Sequence, residues 1–186
     1  IPTNLVYSES TPPPTIINHC RKCSPEKRSN LLQKLVALMG ASPFHERMYF
    51  KFQSITVPNI AVLSAAFPDT PWIFVYREPV QVMMSHFKHG GSSSAPCLRE
   101  HRRPRKETAD ILGVDQRAAT SESRERFCAA HLSMLCASAL ENDQAAGDRA
   151  LMLNYDSLPG SFVHYVVPHH FHVHPFDQLD AQRMID

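Results

Sequence analysis

The stretch from Pro71 to Gly91 limits what this chain can fold into more than any other part of it. Trp72-Ile73-Phe74-Val75-Tyr76 is an unbroken apolar run of strand length, rich in aromatic and β-branched side chains, as in a strand covered on both faces. Pro79 suits the first turn of a following helix, where a missing N–H costs nothing and φ is already helical. Val80, Met83, Met84 and Phe87 then recur at helical spacing, and Gly90-Gly91 closes the helix. Arg77 falls at the junction, where free backbone N–H groups and the helix dipole favour an anion. Ser85 adds a hydroxyl two turns along. A strand feeding a helix start in this way is a phosphate-holding arrangement.

The rest of the chain extends the alternation of strands and helices. Asn4 to Ser8 reads as a short strand, and the Pro12-Pro13-Pro14 run after Glu9 as extended chain. Ser24-Pro25-Glu26 carries the marks of a helix start, Leu31, Leu32, Leu35, Val36, Leu38 and Met39 form its apolar face, and Gly40 ends it. Arg47 to Phe52 reads as a strand and Val57 to Phe67 as a short helix after Pro58. A long helix is predicted from a Ser121 cap to Ala146, with Phe127, His131, Leu132, Met134, Leu135 and Leu140 as its core stripe. Ala150 to Asn154 is another buried strand, and Phe176 to Asp186 begins a final helix. Such alternation predicts an α/β domain, a parallel sheet with helices on both faces.

Bulk numbers exclude some functions and leave others open. At 186 residues, 43% hydrophobic and 20% charged, the chain is long enough for one domain with a substantial core. A net charge of +1 argues against a general nucleic-acid binder. No apolar run reaches the roughly 18 residues that span a bilayer, so no membrane segment is expected in this chain. Fifteen prolines against six glycines point to long, stiff connections. The first residue is Ile, and the chain opens almost directly on a strand, as expected of a fragment truncated at its N-terminus and, by the short final helix, at its C-terminus. Its location, cytoplasm or Golgi lumen, stays open.

Three further clusters draw attention. Cys20-Arg21-Lys22-Cys23 is a C-x-x-C, either a plain loop pair or an opportunistic disulfide or metal site. Cys97, Cys128 and Cys136 look isolated, and the odd count of five suggests no disulfide framework. Arg99, Arg102, Arg103, Arg105 and Lys106 form a basic segment, either a solvated loop or a mobile lid that attracts an anionic ligand. His170, His172 and His174 would share one face if extended and could then bind a metal.

Arg77, a Pro two residues on and a Ser eight residues after the Arg, behind a hydrophobic strand, resemble the 3′-phosphate-binding motif of the sulfotransferases. Phe67-Pro68-Asp69 resembles the lead-in common in that family, and Tyr155-Asp156-Ser157-Leu158 its Tyr-Glu/Asp-x-Leu motif at a strand end. The resemblance covers Leu5 to Leu158 and implies a three-layer P-loop-type fold with a central parallel sheet, residues 1–186 forming a single sulfotransferase-like domain. It further implies a donor co-substrate, 3′-phosphoadenosine-5′-phosphosulfate (PAPS), no metal, and a hydroxyl or amine acceptor that is a small molecule or carbohydrate, with the basic segment hinting at an anionic one. Arg77 and Ser85 would hold the 3′-phosphate and Tyr155 would lie near the nucleotide. The family's Gly- and Lys-containing loop for the 5′-phosphosulfate is not matched, and in the family it precedes the first strand.

A base for the acceptor proton and a cation for the moving sulfuryl group are also required. Lys51 matches the Lys of the Lys-x-His pattern of cytosolic members, but Gln53 stands where the His would be. Glu9, at the end of the first strand, is the positional substitute for the base, with His45, His86 and His89 as further candidates. The alternatives are a small-molecule kinase of P-loop type, a non-catalytic nucleotide-binding domain, and a metal or redox protein built on the C-x-x-C or the His cluster.

Overall fold

The structure is a computed structural model that describes residues 3–20, 22–91, 95–173 and 182. The chain packs as two compact units, Ile1–Thr70 and Pro71–Asp186. Each is built on one pair of parallel strands and the helices that connect them, so the expected α/β character with parallel pairing is present. The strands form two two-stranded sheets among the described residues.

In the first unit, β1 (Asn4–Ser8) pairs with β2 (Arg47–Lys51), Asn4 opposite Arg47 and Ser8 opposite Lys51. Parallel strands need a crossover. It is supplied by α1 (Pro12–His19) and α2 (Pro25–Met39). The Pro12-Pro13-Pro14 run corrects the sequence reading: it is the first turn of α1, where the N–H groups that proline lacks would have no helical partner. Helix α2 starts as predicted, with the Ser24 hydroxyl accepting from the Lys27 N–H at 3.2 Å. After β2, a 3₁₀ turn over Ser54–Asn59 takes up Pro58, and α3 (Ile60–Ala66) follows. Ile17, Leu32 and Ala66 form the core of this unit, flanked by Val36, Phe52, Leu63 and Phe67. Leu32 carries the buried face of α2 while Leu38, expected on it, is exposed.

In the second unit, β3 (Trp72–Tyr76) pairs with β4 (Ala150–Asn154), Trp72 opposite Ala150 and Tyr76 opposite Asn154. The expectation of a strand covered on both faces fails at one end. Trp72 to Phe74 are partly buried, but Val75 and Tyr76 are each 42% exposed. Helix α4 (Pro79–Gly91) follows as predicted. The segment read as an aperiodic loop or lid contains α5 (Pro96–Glu100) and α6 (Lys106–Leu112), ended by Gly113 at φ 71°. It is tied down rather than lid-like: Cys97 is bonded to Cys128, and the Gln116 amide donates to the Pro104 carbonyl at 2.7 Å. Helix α7 (Arg124–Ala146) begins at a Ser123 cap, two residues later than predicted. Its buried face includes Phe127, Cys128, His131, Met134 and Leu135, whereas Leu140, expected in that stripe, is exposed.

Beyond β4, Phe162–His170 is a π-type helix, with the Phe171 N–H bonded to the Val166 carbonyl. The condition for a shared histidine face, an extended run, is not met at His170 and His172: His170 is helical and its Nε2 lies 3.0 Å from the Trp72 carbonyl oxygen, and His172 takes a left-handed φ of 51°. His174 and the final helix predicted over Phe176 to Asp186 lie outside the described residues, apart from Gln182. No helix among the described residues is long and apolar enough to cross a membrane.

Candidate functional site

Open α/β sheets bind ligands beyond the carboxyl ends of their strands, where side chains are positioned but not consumed by the ladder. Each unit gathers polar side chains at that end, and most are the ones singled out from sequence.

In the second unit, the β3–β4 register brings Tyr76 level with Asn154, so Arg77 and Tyr155 are the next residues out on neighbouring strands. The Arg77 guanidinium sits over the Tyr155 ring, 5.1 Å from its centroid, at cation–π range. Its Nε donates to the Gln81 Oε1 at 2.8 Å, one turn into α4. The Glu78 carboxylate in turn accepts from the Gln81 N–H at 2.7 Å and so caps the first turn of that helix. The guanidinium is thus held by its face and its Nε edge. Tyr155 is fixed by a 3₁₀ turn, in which the Asn154 side chain accepts from the Asp156 N–H at 2.9 Å and the Ser157 hydroxyl donates to the Asn154 carbonyl at 2.6 Å. Ser85 lies on an exposed part of α4, one turn beyond Gln81. Gln81, which orients the arginine, is the residue that sequence reasoning missed. Its signal was its place in the first turn of α4, within reach of the junction residue Arg77.

In the first unit, Glu9 and Lys51 leave the ends of the paired strands β1 and β2. The Lys51 ammonium donates to Glu9 Oε1 at 2.8 Å and the Gln53 amide to Glu9 Oε2 at 3.1 Å. These two hydrogen bonds, the one from Lys51 first, hold the Glu9 carboxyl below the ordinary glutamate range. The backbone of Glu9 is left-handed, at φ 54°, a conformation that costs a non-glycine residue on the order of 1 kcal/mol or more. It is held there by an extra rung of the ladder, the Glu9 N–H to the Lys51 carbonyl at 2.8 Å. Gln53, unsuited to act as a base, instead steadies the carboxylate.

The other candidates disperse. The basic segment is partly neutralised, with Arg105 3.2 Å from Glu100 and Lys106 2.9 Å from Asp110. Cys20 and Cys23 form a disulfide. Cys97 and Cys128 do too, which corrects their reading as isolated residues. A separation of 31 residues carries no local signal, so only the fold brings them together. His86, taken from sequence as a spare base candidate, lies beside this bridge, its Nδ1 3.3 Å from Cys97 Sγ. Burial first, and the nearby His131 second, push its pKa down. The side chain of His89 is outside what the structure describes. His45 is bonded locally to the Ser42 hydroxyl at 2.7 Å.

Comparison of the chain with protein-family models, with curated proteins and with solved structures finds no match.

Proposed function

We propose that this chain is the nucleotide-binding part of a sulfotransferase-like enzyme, using PAPS as donor and a hydroxyl or amine as acceptor, on a three-layer P-loop-type fold with a central parallel sheet. The observation that carries the reading is the Arg77–Tyr155 pair. It joins the two motifs of the resemblance at the carboxyl ends of adjacent parallel strands, with the guanidinium fixed by Tyr155 and Gln81. A planar fork held in this way is suited to a phosphate dianion. An exposed hydroxyl on the same helix, Ser85, supplies a second donor for the 3′-phosphate.

The donor, when bound, supplies the sulfuryl group and leaves as adenosine 3′,5′-bisphosphate. The residues of this chain then have three tasks. Arg77 and Ser85 hold the 3′-phosphate, and Tyr155 keeps Arg77 in place. Lys51 offers a compact positive charge to the non-bridging oxygens of the moving group. Glu9, kept ionised by Lys51 and Gln53, accepts the acceptor proton, although its depressed pKa limits how strongly it pulls. The acceptor class, small molecule or carbohydrate, belongs to the loops and not to the strand ends.

Transfer of labelled sulfate from PAPS to a panel of hydroxyl and amine acceptors, in the full-length protein, tests this reading. Transfer that falls roughly 10²-fold in Lys51→Met, with binding of the bisphosphate product unchanged, is the expected result. Binding of the bisphosphate without turnover on any acceptor would instead mark a non-catalytic nucleotide-binding domain. Neither binding nor transfer would overturn both.

A further inference from the structure

The second unit holds a cluster of metal-binding side chains that the proposed reaction does not use. The donor atoms of His86, Cys97 and Cys128 all lie within 4.8 Å of one another. His86 Nδ1 is 3.3 Å from Cys97 Sγ, close to the roughly 3.5 Å that separates nitrogen and sulfur ligands on a tetrahedral zinc ion. Both cysteines are fully buried. Three residues beyond Cys128 on the same helix, His131 is 1% exposed. Its Nδ1 faces the Glu100 carboxylate at 3.4 Å. Glu100 is itself fixed by the Thr108 hydroxyl at 2.7 Å and by Arg105 at 3.2 Å.

We propose that this cluster is a redox-gated Zn²⁺ site. In the reduced chain, the thiolates of Cys97 and Cys128 and the imidazole of His86 hold one ion. A Cys₂His set suits zinc, with the fourth tetrahedral position left to a water molecule. The disulfide is the oxidised, metal-free form of the same site. The oxidant class is a small peroxide. Two thiolates lose two electrons and join through an S–S bond, hydrogen peroxide takes up those electrons and two protons to become two waters, and Zn²⁺ is released. The ion therefore ties α4, α5 and α7 together when reduced, and the disulfide keeps only the α5–α7 tie when oxidised. Cys20 and Cys23 belong to no such cluster among the described residues and serve as the internal comparison.

The test uses the full-length protein, prepared without oxygen under a phosphine reductant and dialysed against Zn²⁺ or Co²⁺. One ion per chain is expected, with the visible and near-ultraviolet bands of tetrahedral thiolate-bound Co²⁺. Mapping by alkylation should find Cys97 and Cys128 protected by Zn²⁺ and Cys20 and Cys23 modified. Peroxide should release the ion and close the Cys97–Cys128 bridge. A Cys20→Ser/Cys23→Ser variant should keep the site, and His86→Ala should lose Zn²⁺ uptake. Failure of the reduced protein to take up metal would overturn the proposal, as would protection that falls on Cys20 and Cys23. The alkylation map is read on the unaltered protein, so it does not depend on a variant folding.

Discussion

At the scale of single residues, Arg77 is the one on which most depends. Its guanidinium is exposed enough to meet a ligand and is held by Tyr155 and Gln81. On the proposed function, replacing it by Ala removes a charged hydrogen-bonding partner of the phosphate, an expected effect of about 1.5–3 kcal/mol on bisphosphate binding. Calorimetric titration of the variant should find Kd raised roughly 10- to 150-fold with no loss of thermal stability. Gln81→Ala should produce a smaller loss, because it frees the guanidinium without removing it. Glu9 illustrates a residue whose place at a strand end was legible in sequence but whose state was not. Neither the Lys51 and Gln53 bonds nor the left-handed backbone has a signature in a single chain of letters, since both partners are more than 40 residues away.

At the scale of elements, the local rules carried far where they had a strong signal. The four strands among the described residues were legible as short β-rich or apolar runs, and α2 and α4 as periodic stretches opened by Pro and closed by Gly. Where the signal was weak, tertiary context decided. Pro12-Pro13-Pro14 became a helix start, and the segment after Ser94 folded as short helices because the fold gave Cys97, Leu98, Thr108 and Leu112 a core to enter. Helix α7 holds both groups, Cys128 packing with Cys97 and Leu98, and the fully buried Phe127 with Leu112. Phe127→Ala should cost about 3–5 kcal/mol, read from denaturant unfolding. Glu100 is the polar counterpart. Burial alone would raise its pKa, but His131, Thr108 and Arg105 outweigh that and bring it below the ordinary glutamate value. A carboxyl depressed in the folded state stabilises above its unfolded pKa, and the gain disappears as pH falls through the folded one. Glu100→Gln should therefore lower the melting temperature at pH ~7, by about 1–3 kcal/mol in free energy, and the difference from wild type should shrink as the pH is brought below ~4. A difference that stays constant across that range would contradict the ionic account.

At the scale of the whole molecule, two compact units each offer a strand-end cluster, one holding Glu9 and Lys51 and the other Arg77 and Tyr155. Their strand ends were legible because parallel α/β units place ligand-facing residues after strands, whatever the acceptor. The acceptor that the proposed function requires was not legible, nor was the pairing of Cys97 with Cys128. A net charge of +1 predicts no salt-dependent binding to duplex DNA, checked by anisotropy at low ionic strength. The most direct test of the central claim is a thermal-shift titration of the full-length protein with adenosine 3′,5′-bisphosphate against 5′-AMP. A ligand at a hundredfold excess over Kd stabilises the native state by about 2.7 kcal/mol, several degrees in melting temperature for a chain of this size. Stabilisation by the bisphosphate alone, abolished in Arg77→Ala, is the predicted result. An equal response to both nucleotides, or none to either, would contradict the assignment of Arg77 and Ser85 to a 3′-phosphate.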